Sequence, residues 1–490
     1  MTGNGELMND ASHAAATSAP YRTDRSTRDD GGATVNDENQ TSRAGSSLIS
    51  RRNVLRAGVV GAAGVGILGA AATRGSRAVA AYGTGFTPTH TDEVHLVATD
   101  GWVSMPALAK PVAGFWPDEL APKPYNMYVF GFRNVTGMND SQVIAQRGQA
   151  QISAPVLGFD EGSEVKITLT NLGLSQRPDL VDGHTLHWHG FNNAIPIFDG
   201  VPEMSASVPI GKSITYYYRP HDAGTYMYHC HFEDVEHVQM GMTGLVFVRP
   251  RMNYELDSAQ NFVLDANGKP IPRADGKKFV FNDENTAYDR EYPIFLTEND
   301  PEDHWRDAHI QISDWSTYDA GFALFNGRAF PDTIEPSLPD CDPAFEHNPE
   351  GSLGTQLDTT TSLERLRYQP RTALMEAIEG ETVLIRLAHL GSLRHTITVD
   401  GIPLHVIGSD ATQLKGPGGE DTSYYTNSVG LGAGESRDIL FTAPKPGTYL
   451  VYDRNYMNLS NSEGPGYGGM LTHLVVHEQG YDLGLVGKTV

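Results

Sequence analysis

The chain repeats itself. Glu161-Gly162-Ser163-Glu164-Val165-Lys166-Ile167 returns as Glu379-Gly380-Glu381-Thr382-Val383-Leu384-Ile385, and Gly224-Thr225-Tyr226 returns as Gly447-Thr448-Tyr449. Gly211 and Gly434 are 223 positions apart, the same offset as Gly224 and Gly447. His184-Thr185-Leu186 followed by Gly190 returns as His395-Thr396-Ile397 followed by Gly401. Self-similarity of this kind marks a duplicated folding unit, so two homologous domains are expected, roughly 90–250 and 280–480. Within each, short alternating apolar and polar runs such as 165–170 and 213–218 are separated by Gly, Pro, Asn and Asp. That pattern reads as strands and turns with few helical periods. The fold class is therefore all-β, two tandem β-sandwich domains.

The rest of the chain punctuates this plan. Residues 1–47 are rich in Ser, Thr, Asp, Asn, Gly and Ala, a composition that buries no core. Residues 48–80 resemble a twin-arginine export signal. Ser50-Arg51-Arg52-Asn53-Val54-Leu55-Arg56 precedes a Gly/Ala-rich apolar stretch, and Ala78-Val79-Ala80 offers a small-residue cleavage site. The stretch is short for a spanning helix, which needs about 20 apolar residues. Residues 251–279, with Asn267-Gly268 and Asp275-Gly276, read as a linker carrying a hairpin. Residues 335–365 read as a surface excursion, with Cys341 incidental within it. A formal charge of −24 argues against nucleic acid or an anionic membrane as partner.

The chemistry concentrates in two segments of the first domain: His184-Thr185-Leu186-His187-Trp188-His189-Gly190, and Tyr228 through Met242 with His229-Cys230-His231 near its start. Successive residues of a strand face opposite sides of a sheet. His187 and His189 therefore share one face, opposite His184. His229 and His231 share one face, opposite Cys230. If the two strands are neighbours, one site gathers His184 and Cys230, and the other gathers His187, His189, His229 and His231. The loop after the second strand completes the first site with His237 and Met242, Met240 being the alternative to Met242. Two imidazoles, a thiolate and a weak thioether are the ligand set of a blue-copper centre. A catalytic zinc site has no need of a Cys between two His.

These motifs resemble the multicopper oxidase and copper nitrite reductase superfamily, built from cupredoxin-like Greek-key domains. Phe198-Asp199-Gly200-Val201-Pro202 and Phe325-Asn326-Gly327-Arg328 extend the likeness. The resemblance implies type 1 copper on His184, Cys230, His237 and Met242. It implies a type 2/type 3-like copper site on His187, His189, His229 and His231. It further implies a reductant (a small molecule or a metal ion) that gives electrons at type 1 copper. They would pass through Cys230 and its flanking His to a site that reduces O2, or nitrite in the reductase branch.

The second domain departs from the pattern. Thr398 and Asp400 stand where His187 and His189 would recur, and Tyr452, Asp453 and Arg454 where His229, Cys230 and His231 would. Only His395 persists, so the second domain is expected to hold no type 1 copper and His395 to be structural. His405 resembles the residue that completes type 2 copper across a trimer interface in nitrite reductases, so a homotrimer is expected. His187 replaces the acidic residue used by that branch, which favours O2 as acceptor. A copper nitrite reductase and a non-catalytic blue-copper electron carrier are the competing readings.

Overall fold

Residues Glu164–Gly173 alternate strictly between half-buried and buried positions, as a strand with one face on a core must. A computed structural model describes residues 90–106, 114–192, 194–338, 363–461, 466–484 and 486–487. The segments read as N-terminal extension and export signal, and Cys341 with most of the surface excursion, lie outside the described residues. No described helix is long and apolar enough to cross a membrane.

The first domain contains β1 (Thr91–Val103), β2 (Met127–Asn134), β3 (Leu157–Asp160), β4 (Glu164–Gly173), β5 (His187–His189), β6 (Ser213–Tyr218), β7 (Gly224–His229) and β8 (Thr243–Arg249). They form two sheets, β2-β1-β4-β6 and β3-β8-β7-β5. The second domain repeats both orders. One sheet runs through Phe322–Phe325, Arg290–Asn299, Thr382–His389, Glu435–Thr442 and Leu404–Ser409. The other runs through Met375–Ile378, Leu471–His477, Gly447–Asp453, His395–Val399 and Val429–Leu431. The register repeats too: Asp92 pairs with Val165 in a parallel ladder, and Arg290 pairs with Val383 in another. The duplication seen in the sequence is thus a duplication of two-sheet cupredoxin-like sandwiches.

Each sandwich has its own apolar filling. In the first, Trp188 is almost fully buried and meets Phe159, Phe191, Tyr218 and Tyr226 with ring centroids 4.5–6.0 Å away. This cluster fixes β5, a strand of only three residues, against the core. The linker is a structured ladder, with bridges Tyr254–Pro272, Leu256–Phe262 and Leu264–Pro270. Its Asn267-Gly268 pair forms the expected turn, in which the Gly268 N–H donates to the Asp265 carbonyl.

The two domains meet along β7. Thr225 donates through Oγ1 to Asp438 (2.6 Å), and Ser436 donates through Oγ to the Thr225 carbonyl (2.6 Å). Behind them Arg386 is fully buried between Glu291 (2.7 Å) and Asp438 (3.4 Å), with its guanidinium over the Phe247 ring. A helix at Pro301–Ala308, capped by Asp300, packs on β2. Its His304 Nδ1 lies 2.5 Å from the Tyr128 carbonyl.

Candidate metal centres

β5 and β7 are neighbours, pairing His187 with His229 and Trp188 with Tyr228. Trp188 and Tyr228 therefore point into the core, and His187, His189 and His229 point away from it. Past the end of β7, Cys230 turns back inward and is completely buried. His184 precedes β5 and is held by a bridge to Val208. The expected facing of these side chains is what the strands produce.

The inward set comprises His184, Cys230 and His237, whose ligand atoms lie within 4.8 Å of one another. Cys230 Sγ is 3.8 Å from His184 Nδ1 and 3.2 Å from His237 Nδ1. The Thr185 backbone N–H points at the same sulfur from 3.4 Å, a donor that favours the thiolate. Burial pushes the Cys230 thiol up, but the His237 charge and the contacts to both imidazoles outweigh it and hold the thiol well below its ordinary range. A metal takes the thiolate, so the protein already favours the form that binds. His237 is carried by the helix Asp234–Gln239 and is fully buried. Both candidate thioethers, Met240 and Met242, are also fully buried. The Met242 backbone is tied to both neighbours of the site: its N–H donates to the His237 carbonyl (2.8 Å), and its carbonyl accepts from the Cys230 N–H (3.0 Å). Met240 is instead bonded to Glu236 and Phe130.

The outward set comprises His187, His189 and His229, again with ligand atoms within 4.8 Å, and His231 beside them. Ring centroids of His187 and His231 are 5.2 Å apart, and those of His229 and His231 are 5.4 Å apart. His187 Nδ1 is 2.6 Å from the Asp199 carbonyl, and His229 Nδ1 is 2.8 Å from the Cys230 carbonyl. A carbonyl only accepts, so in both rings Nδ1 carries the proton and Nε2 keeps its lone pair. Pinning the far nitrogen in this way is how proteins orient imidazole ligands. His189 Nδ1 is 3.4 Å from His229 Nε2. Burial lowers the pKa of His187 and His189, and that of His229 to about 3. The rings are thus neutral, the form that binds metal. Cys230 joins the two sets, since its side chain belongs to one and its chain neighbours on both sides belong to the other.

Two features do not follow from the sequence patterns. The first is a roof from the second domain: a Cβ on Gly434 would stand 3.0 Å from His189 Nε2. The adjoining turn Asp410-Ala411 has both residues at positive φ, and Ala411 joins the first domain's core. The second is that His395 is not alone: Glu298 and His389 share its buried pocket. His405, by contrast, lies with neither histidine set. Its Nε2 is 2.7 Å from Ser423 Oγ, and its ring stacks on Tyr425.

Residues 133–253 match the family model Cu-oxidase_3, multicopper oxidase. Multicopper oxidase MCE of Talaromyces pinophilus is 34% identical over 105 residues, covering 21% of this chain and 16% of that protein. Laccase-1 of Emericella nidulans is 33% identical over 97 residues, covering 19% and 14%. The matched stretch thus spans a sixth or less of these curated relatives. Among solved structures, Blue Copper Oxidase from Nitrosomonas europaea superposes with a TM-score of 0.51 at 18% identity, covering 79% of this chain and 86% of that one. Multicopper Oxidase mgLAC gives 0.51 at 18%, covering 80% and 87%. These two likenesses establish the cupredoxin arrangement.

Proposed function

We propose that this chain, whose residues 133–253 match a multicopper oxidase model and whose fold is like that of Blue Copper Oxidase from Nitrosomonas europaea, is an exported copper oxidoreductase that uses O2. In this reading a reductant, either a small molecule or a metal ion, gives electrons at the inward set, and O2 is reduced at the outward set. The observation that carries it is the position of Cys230. Its sulfur faces His184 and His237, while the residues bonded to it in the chain, His229 and His231, stand in the outward cluster.

The donor types fit copper. Thiolate, two imidazole Nδ1 atoms and a buried thioether suit a type 1 centre, and Met242, whose backbone is bonded to both His237 and Cys230, would supply the thioether. Four clustered imidazoles suit a type 2/type 3-like centre. Copper bound there would supply one-electron chemistry between reductant and acceptor. The chain's own groups do the rest. Thr185 N–H and the two imidazoles keep the sulfur ionised. Asp199 and Cys230 carbonyls fix the tautomers of His187 and His229. The Gly434 backbone lies against one side of His189.

His187 in the outward set supports O2 over nitrite. A homotrimer in which a neighbour supplies His405 remains part of the reading, since His405 is half-exposed and lies with neither set in its own chain. Copper per chain with visible and EPR spectra tests the whole. Two or more coppers with a type 2 signal and O2 turnover are expected. A single copper with only a type 1 signal would reduce the protein to an electron carrier, and turnover of nitrite but not O2 would make it a nitrite reductase.

A further inference from the structure

The second domain keeps the frame of the copper pocket and fills it differently. His395 stands where the first domain has His184, and Asp453 where it has Cys230. His395 Nδ1 is 2.6 Å from Asp453 Oδ2, and His395 Nε2 contacts Glu298 Oε1. Asn458, on the turn after the strand as His237 is in the first domain, donates to Asp453 Oδ2 from 2.7 Å. Backbone N–H groups of Thr396 and Asn455 serve Asp453 Oδ1, and that of Ser392 serves Glu298 Oε2. The side chains of Glu298, His389, His395 and Asp453 are all 0% exposed.

Distances separate a metal from a proton. A metal holds N and O ligands at about 2 Å each, which keeps neighbouring donors about 3 Å or more apart. The pairs around Cys230 stand at 3.2 and 3.8 Å. The His395–Asp453 pair stands at 2.6 Å, too close for two ligands of one metal and at the short end of charge-assisted hydrogen bonds, which run from about 2.7 Å. Ionised carboxylates only accept, so a ring bonded to one at each nitrogen carries two protons. We infer that a proton has taken the metal's place in the second domain: His395 is an imidazolium clamped between Glu298 and Asp453, and this pocket takes no metal ion.

The clamp couples this domain to pH. Burial works against the charge on His395, but the bonds to Asp453 and Glu298 outweigh it and raise its pKa to about 9. Burial likewise pushes Glu298 and Asp453 up, and His395 outweighs it, leaving both below the ordinary carboxylate range. The other groups facing the clamp are His389, whose pKa burial lowers, and Tyr318 beside Glu298, whose phenol burial raises. A raised imidazole pKa gives stability that is complete below its unfolded value of about 6.5 and is lost as pH rises through about 9. Depressed carboxylates give stability that is present above about pH 4 and lost below it.

The test uses the copper-loaded protein, reduced to its diamagnetic cuprous form and labelled with 15N at histidine. His395→Asn identifies the His395 signals. Both ring nitrogens of His395 are expected to be protonated at pH 7.5, and the thermal midpoint to fall between pH 7 and 9.5. In Glu298→Gln that fall should flatten while total metal per chain stays at the wild-type value. A neutral His395 ring at pH 7.5 would overturn the inference, as would loss of one metal ion per chain in Glu298→Gln. If Glu298→Gln does not fold, the ring signals and pH series of the wild-type protein decide the matter alone.

Discussion

Replacing Gly434 by Ala isolates the contribution of the second domain to the outward histidine set. Gly434 has φ +80°, and its Cβ would meet His189 at 3.0 Å from Nε2 and 3.3 Å from Cε1. Its counterpart in the repeat, Gly211, has φ +72° with nothing within 4 Å. Ala at either position costs about 1–2 kcal/mol for the left-handed backbone, so the two variants share that penalty. They differ only in the imidazole. His189 must shift by a few tenths of an ångström to relieve the contact, and ligand positions tolerate about 0.2 Å. Gly434→Ala should therefore weaken copper at the outward site about tenfold or more, the scale of a disturbed supporting residue, and turnover should fall with it. Gly211→Ala should lose the same stability in denaturant unfolding and keep its copper and turnover. Copper per chain after dialysis, the type 2 EPR signal and steady-state rates would all be compared. Equal copper and equal turnover in the two variants would refute the claim that the second domain shapes this site.

Cys230→Ser should abolish the intense visible absorption and the turnover together while leaving copper on the outward set; a blue Cys230→Ser protein would sink the type 1 assignment. Met242→Leu should shift the reduction potential and visible spectrum while Met240→Leu leaves both near wild type, and the reverse pattern in spectroelectrochemistry would make Met240 the axial ligand. Arg386→Ala removes the buried guanidinium bonded to Glu291 and Asp438, so unfolding by denaturant should show a loss of about 3–5 kcal/mol; a loss below about 1 kcal/mol would mean that water reaches the pair. Trp188→Ala empties the cluster that anchors β5 and should cost about 3–5 kcal/mol, with the type 2 signal broadened because His187 and His189 ride on that strand.

Much of this was legible because the informative patterns are local. Alternation along β4 and β6 was enough to place both as strands. The period of two along His187-Trp188-His189 and His229-Cys230-His231 was enough to sort these side chains onto two faces. The repeat carried the second sandwich with it, down to the paired registers of Asp92 with Val165 and Arg290 with Val383. The Asn-Gly turn of the linker was visible for the same reason, since turn chemistry is written in adjacent residues.

What escaped was everything that depends on one segment reaching another. Glu298 lies 97 positions before His395, on a strand whose sequence gives no sign that one carboxylate turns inward. Reading His395 as a solitary survivor followed from counting only positions matched by the repeat, whereas its partner came from the neighbouring sheet. The roof over His189 escaped in a different way. Asp410-Ala411 holds two successive left-handed residues without a glycine, a turn that ordinarily calls for Asn-Gly. Each such residue costs about 1–2 kcal/mol, and here the compensation is tertiary: Ala411 packs into the first domain beside Gly224, whose Cβ would stand 2.8 Å from the Ala411 Cα. A sequence rule sees the unfavourable turn and no reason for it. The reason is the contact that brings Gly434 and its neighbours onto β7, so the place where local preference is overruled is also where the second domain meets the first domain's histidines.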